Sequence, residues 1–159
     1  MDKVNSKYKI SGILAVFFLT LTFSLILFFP TSAISGSNIN ITVKSILASE
    51  KGTSVDPRLK GLVKELQSVF RYSSYEYLGE KGVNISLNNK SVVTLPGQRV
   101  MNIYAEGVEG DRVVLEIELL NNNNRIAQTS IKLRNNSSFT IGGQGYKEGY
   151  LLFNIFASF

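Results

Sequence analysis

The sequence predicts a mainly β protein: an antiparallel β-sandwich or a partly open barrel of about eight strands, with one amphipathic helix at about residues 57–70. Two observations favour this fold. Short stretches of alternating apolar and polar residues recur along the chain, separated at close intervals by glycine, proline or asparagine. A parallel sheet would also need a helix at each crossover, and only one helical pattern follows the N-terminal region.

The chain starts with an apolar segment, residues 10–29, which contains no charge and follows three lysines. This layout is typical of an export segment. Small residues follow Pro30, and Ala33 is a suitable last residue for a cleaved signal peptide over 1–33. The apolar run is also long enough to span a bilayer as a retained signal anchor. Both alternatives predict export to the periplasmic or extracellular face of the cytoplasmic membrane.

A short polar spacer, residues 34–40, leads into a single β-rich domain at 41–159. The stretch "NINITVKSI" alternates and predicts a first strand. The stretch "VDPRLKGLVKELQSVF" predicts the helix, with Asp56 as N-cap and Pro57 at the first helical position. Its apolar face is formed by Leu59, Leu62, Val63, Leu66, Val69 and Phe70.

Further strand segments follow: "YSSYEYLGE", "VNISL", "SVVTL", "RVMNIYAEG", "RVVLEIELL", "RIAQTSIKLR", "SSFTI" and "YLLFNIFA". Turns are predicted at Pro96-Gly97, at Gly110-Asp111 and in the asparagine run 121–124. In "RVVLEIELL" the outward residues are Glu116 and Glu118. We expect these two carboxylates to pair across strands with the Lys132 and Arg134 side chains.

A glycine-rich stretch, "RNNSSFTIGGQGYKEGY" at residues 134–150, has the composition of a ligand loop. It lacks both common phosphate-binding spacings, and a β-like segment follows it where such a loop needs a helix N-terminus. We therefore expect a sharp change of direction at Gly142 and Gly143, with positive φ angles that favour glycine.

The composition excludes several chemistries. The chain has no cysteine and no histidine, which removes disulfides, thiol nucleophiles and the commonest general base near neutral pH. The net charge is +5, and +3 without residues 1–33, so no nucleic-acid partner is indicated. The acidic stretch "AEGVEGD" fits a solvated hairpin tip. We expect no enzymatic activity, no cofactor and no metal site.

One stretch, "FRYSSYEY", interleaves an arginine with tyrosines and is the candidate contact surface. Its members are Arg71, Tyr72, Tyr75 and Tyr77. Tyrosines in this arrangement suit a protein or glycan contact, and they are also ordinary residues of a half-buried strand.

Residues 55–80, the "LPG" at 95–97 and the β-rich C-terminal region together resemble small exported bacterial proteins of unknown function. This resemblance implies an envelope location and one compact domain, and it implies no catalytic residue. The stretch "TSIKLRNNSSFTIGG", residues 129–143, is locally similar to the closing hairpin of secretin-type channel domains, although the chain is far too short to be a secretin.

These observations favour a non-catalytic envelope protein, a small interaction or assembly subunit of a larger exported or membrane-associated complex. Its expected partner is another envelope protein, with the membrane as a second partner if residues 10–29 are not cleaved. The alternative is a β-sandwich that binds a glycan or a small molecule. An enzyme without histidine or cysteine is a third hypothesis, which no motif supports.

Overall fold

The computed structural model describes residues 38–159, in which eight strands form two four-stranded antiparallel sheets. A short 3₁₀ helix (Pro57–Leu59) and helix α1 (Val63–Val69) lie between the first two strands. The strands are β1 (Asn38–Ser49), β2 (Ser74–Ser86), β3 (Lys90–Leu95), β4 (Arg99–Glu109), β5 (Arg112–Asn121), β6 (Asn124–Arg134), β7 (Ser137–Tyr146) and β8 (Gly149–Ser158).

The predicted export segment, residues 10–29, and the predicted cleavage position at Ala33 lie outside the described residues. Within residues 38–159, neither helix is long and apolar enough to cross a membrane. Strand β1 begins at Asn38 and so includes the last residues of the predicted spacer 34–40.

The topology places nearly every strand beside its neighbours in the chain. Sheet A has the order β2-β1-β8-β7 and sheet B the order β3-β4-β5-β6. The chain passes from one sheet to the other between β2 and β3, and returns between β6 and β7. The prediction of a mainly β, antiparallel, sandwich-like domain of about eight strands is confirmed.

The main core fills the space between the two sheets, because alternate residues of each strand point inward. In β5 the inward residues Val113, Leu115, Ile117 and Leu119 are all buried, as the alternation predicts. The facing residues of sheet A include Ile41, Phe153 and Ile155.

A second apolar cluster covers part of the outer face of sheet A. It lies beneath residues 50–73, the segment that connects β1 to β2. We call this segment the strap, because it passes over the outer face of sheet A. Leu59 and Leu66 of the strap pack on a patch of sheet A whose members are Ile46, Ala48, Tyr75 and Leu152.

The strap differs from the single helix predicted at 57–70. Asp56 does cap the first turn by accepting the backbone N–H of Arg58, but the turn ends at Leu59 and Gly61 lies in the connection to α1. Helix α1 has seven residues and no side-chain N-cap. Val69, predicted on the apolar face, is 68% exposed.

The glycine-rich stretch is wrongly predicted as a turn. Gly142 and Gly143 lie inside β7, at an irregularity in its pairing with β8, and neither has a positive φ. The chain reverses four residues later, at Lys147, whose φ is 50°. Of the two, Gly143 is needed for space, because a Cβ there would lie 2.8 Å from the carbonyl oxygen of Leu151.

The other predicted turns are confirmed by positive φ angles at Gly97, Gly110, Asn122 and Asn123. The predicted strands "YSSYEYLGE" and "VNISL" form the single strand β2. The strand is continuous through Gly79 and Gly82, and its pairing with β1 shifts by one residue next to Gly79, whose φ is 141°.

Candidate functional site

The structure places the four residues of the predicted contact surface in different surroundings. Tyr75 is 1% exposed, and its hydroxyl donates a hydrogen bond to the Phe70 carbonyl at 3.0 Å. Burial raises the pKa of Tyr75. Tyr72 and Tyr77 are half-buried and Arg71 is exposed. The stretch thus supplies one core residue and three residues at or near the surface.

A partly exposed aromatic pair forms where the strap ends. The rings of Tyr72 and Tyr150 are stacked, with centroids 5.5 Å apart and an angle of 28° between their planes. Tyr150, in β8, is 47% exposed. The sequence did not single out Tyr150, although it begins the alternating segment "YLLFNIFA" and its outward position follows from that alternation.

The start of the strap carries a fixed charged group. Arg58 binds the carboxylate of Asp56 through two nitrogens, at 2.9 and 2.6 Å, and lies 4.3 Å from the centroid of the Tyr77 ring. The side-chain hydrogen bond from Arg58, with its backbone N–H, lowers the pKa of Asp56 from 3.8 to about 2. The ion pair and the ring contact together hold the guanidinium over sheet A.

A shallow groove of about 400 Å³ lies beside the strap on the outer face of sheet A. Its side chains include Lys44, Arg58, Glu80, Asn154 and Phe156. Asn154 is 3% exposed and donates to the Thr140 hydroxyl at 2.9 Å, while Phe156 is 36% exposed.

Along β8 the outward residues are therefore exposed at both ends, at Tyr150 and Phe156, and buried between them. The strap accounts for the buried Leu152, which belongs to the second apolar cluster. We call this whole surface, with the groove and the aromatic pair, the strap face.

A second groove, of about 430 Å³, crosses the outer face of sheet B. It is lined by Lys90, Asn102, Tyr104, Glu116, Glu118, Arg125 and Gln128. We call it the sheet B groove. Alternation along the sequence marked Glu116, Glu118 and Gln128 of this set as outward residues and did not single out the other four.

The predicted pairing of these glutamates with Lys132 and Arg134 is wrong. The register of β5 and β6 places Glu116 opposite Ser130 and Glu118 opposite Gln128. Lys132 instead pairs with Glu109 at 2.7 Å and Arg134 with Asp111 at 3.5 Å, both at the β4–β5 hairpin tip. The acidic hairpin tip is exposed and ion-paired, in keeping with a solvated turn.

One buried cation lies at an end of the main core. Arg99 is 3% exposed and donates to the carbonyls of Gly97 and Gly145, both at 3.1 Å. Its guanidinium lies 5.9 Å from the centroid of the Tyr146 ring, and its Nε has no hydrogen-bond partner among residues 38–159. Since Gly145 belongs to β7, Arg99 links the two sheets.

Within residues 38–159 no group of three or more acidic side chains is placed to hold a metal ion. Comparison with protein-family models, with curated proteins and with solved structures found no match to this chain.

Proposed function

We propose that the protein is a non-catalytic interaction or assembly subunit of the cell envelope, and that it docks another envelope protein on the strap face. The apolar segment 10–29 supports export, as a cleaved signal or as a retained anchor. The absence of histidine and cysteine from the chain supports a non-catalytic role.

The observation that carries the proposal is the stacked Tyr72–Tyr150 pair. A tyrosine offers a large apolar contact and a polar hydroxyl at a small cost in side-chain entropy, and tyrosines are enriched at protein interfaces. Both rings are already held by stacking, so little ordering is needed when a partner binds.

The strap face has further properties of a docking surface. Phe156 offers a second aromatic contact on the same sheet face, and Arg58 is fixed over Tyr77 beside the groove. Arginine and tyrosine are among the residue types enriched at the energetic centre of an interface.

The test is site-specific photo-crosslinking in intact cells. A photoreactive residue at position 150 is expected to give one discrete product that contains a second envelope protein. The same residue at position 132, which is exposed on sheet B outside the sheet B groove, is the matched control and is expected to give no discrete product. Replacing Tyr72 with alanine should reduce the product from position 150.

Three outcomes would contradict the proposal. These are no product from position 150, the same products from both positions, or a product that contains only a second copy of this chain. The melting temperature of Tyr72→Ala is measured in parallel, so that a loss of product is not assigned to unfolding.

A further inference from the structure

The sheet B groove is built from two rows of outward side chains that cross the sheet. One row runs Lys90, Tyr104, Glu116 and Ser130, and the next runs Val92, Asn102, Glu118 and Gln128. Because strands lie about 4.8 Å apart, each row presents closely spaced functional groups on one surface.

The polar side chains of the groove hold one another in place. Asn102 donates to Glu118 at 2.7 Å, and Arg125 donates to Gln128 at 2.7 Å. The Gln128 amide in turn donates to Glu116. Arg125 also lies 3.6 Å from Glu118. One hydrogen-bonded and ion-paired network therefore connects the side chains of Glu116, Glu118, Arg125 and Gln128. Such fixed groups need little ordering when a ligand binds.

The charges of the groove cancel. Lys90 and Arg125 balance Glu116 and Glu118, so the lining favours neither an anion nor a cation by charge alone. The lining remains dense in hydrogen-bond donors and acceptors, since carboxylates accept, ammonium and guanidinium groups donate, and amides do both. A ligand that matches it must itself carry many groups able both to donate and to accept.

An apolar surface borders this polar lining. Tyr104 is half-buried between Lys90 and Glu116, its cross-strand neighbours. Val92, on edge strand β3, is 58% exposed in the next row. A sugar ring presents hydroxyl groups at its edge and an apolar C–H surface on its face, which suits hydrogen-bonding side chains beside an aromatic ring.

We propose that the sheet B groove binds a neutral oligosaccharide. Hydroxyl groups of the sugar donate to Glu116 and Glu118 and accept from Asn102 and Lys90, while the Tyr104 ring packs against a sugar face. The volume of about 430 Å³ lies within the range usual for ligand pockets. The site is on the opposite sheet from the strap face and does not depend on the function proposed above.

The test uses the full chain, purified in a detergent without a sugar headgroup, because a glycoside detergent would compete for the groove. Cellotetraose and fully N-acetylated chitotetraose, both neutral, are titrated into it by calorimetry, up to about 10 mM, which detects affinities near 1 mM. We expect at least one of the two to bind saturably. Asn102→Ala and Tyr104→Ala should each weaken that binding about tenfold or more, a change of about 1.4 kcal/mol.

Tyr150→Ala is the matched control, since it removes an exposed tyrosine from the other sheet, and it should bind the sugar as the unaltered protein does. Gln128 is exposed, so Gln128→Ala provides a further variant if either of the others lowers the melting temperature. It should also weaken binding, because Gln128 holds Glu116 and Arg125 in place.

Calcium alone is the competing probe, because Glu116 and Glu118 offer the oxygen ligands that calcium prefers. The proposal is overturned if neither tetrasaccharide binds, if sugar binding is unchanged in all three groove variants, or if Tyr150→Ala weakens it as much as they do. Saturable calcium binding that Glu118→Gln abolishes, without any binding of sugar, would also overturn it.

Discussion

Gly142 and Gly143 are neighbours in β7 with different surroundings. A Cβ on Gly142 would lie 3.4 Å from the Phe70 ring, which is an ordinary contact distance. A Cβ on Gly143 would lie 2.8 Å from the carbonyl oxygen of Leu151 and 3.1 Å from the Phe153 ring. A side chain can therefore be added at Gly142 beside the end of the strap, whereas Gly143 lets the backbones of β7 and β8 approach closely.

We expect Gly143→Ala to lower the free energy of unfolding by about 1–3 kcal/mol, because the new methyl group forces the backbone or Phe153 to move. Gly142→Ala is the matched control. It should change stability by no more than about 0.5 kcal/mol, as most surface substitutions do. Urea unfolding of the two variants makes the comparison, and equal losses at the two positions would contradict this account.

Both variants should bind an envelope partner or a sugar as the unaltered protein does, wherever they fold, because neither glycine lines the sheet B groove or belongs to the aromatic pair. A loss of binding without a loss of stability would show that the glycine-rich stretch is a binding site after all.

The sequence could not predict the role of these glycines. A glycine cluster indicates only that no side chains are present. The absence of a side chain suits a tight turn and a close approach of two backbones equally well. The actual reversal uses Lys147 at positive φ, and lysine carries no turn signal. Where the turn has its usual residues, as at Gly110 and at Asn122 and Asn123, the sequence prediction is correct.

At the scale of elements, the strap shows why one predicted helix becomes two short ones. Its apolar residues lie at helical spacing, and this periodicity predicts one long helix. Isolated helices of this length are marginal, however, and the glycine at position 61 adds a further cost. The packing of Leu59 and Leu66 on sheet A stabilises the strap. This tertiary contact cannot be deduced from the spacing of apolar residues in the sequence.

The Asp56–Arg58 pair at the start of the strap predicts a specific pH dependence. The pKa of Asp56 is about 2 in the folded protein against an ordinary 3.8. Because the folded pKa is lowered, the ionised carboxylate stabilises the fold at pH values above about 4. That contribution is lost as the pH falls from about 4 towards 2.

We expect Asp56→Asn to remove this part of the acid sensitivity. Asparagine keeps an oxygen that can accept the Arg58 backbone N–H, so the cap survives while the titrating charge does not. The difference in unfolding free energy between the unaltered protein and the variant should therefore shrink as the pH falls from 4 to 2. Urea unfolding at several pH values measures it, and a constant difference would show that Asp56 does not contribute.

At the scale of the whole molecule, alternation along the strands and the short turns were enough to predict an antiparallel sandwich-like domain. They were not enough to predict the sheet B groove. That groove depends on which residues lie opposite one another, and the β5–β6 register shifts between Leu119 and Leu120. A single extra residue of this kind changes the cross-strand partners, so that Glu118 lies opposite Gln128 rather than Ala127. The predicted ion pairs do not form because Lys132 and Arg134 lie opposite Val114 and Arg112, nearer the β4–β5 hairpin tip.

The domain has two apolar clusters that share sheet A. The main core lies between the sheets and includes Ile117, while the second cluster lies under the strap and includes Leu66. Both side chains are 1% exposed. The strap packs on sheet A alone, so we expect it to open without the separation of the two sheets.

Hydrogen exchange of the full chain tests this with a pair of matched truncations. Leu66→Ala and Ile117→Ala should each lower the stability of the cluster that contains the residue by about 2–5 kcal/mol. In Leu66→Ala, exchange should become faster in the strap, while amides of β4 and β5 keep their protection, because opening of the strap is a local event. In Ile117→Ala, exchange should become faster in both sheets, because the core that joins them is weakened. If Leu66→Ala accelerates exchange in β4 and β5 as much as in the strap, the two clusters unfold as one unit and the strap is an integral part of the sandwich.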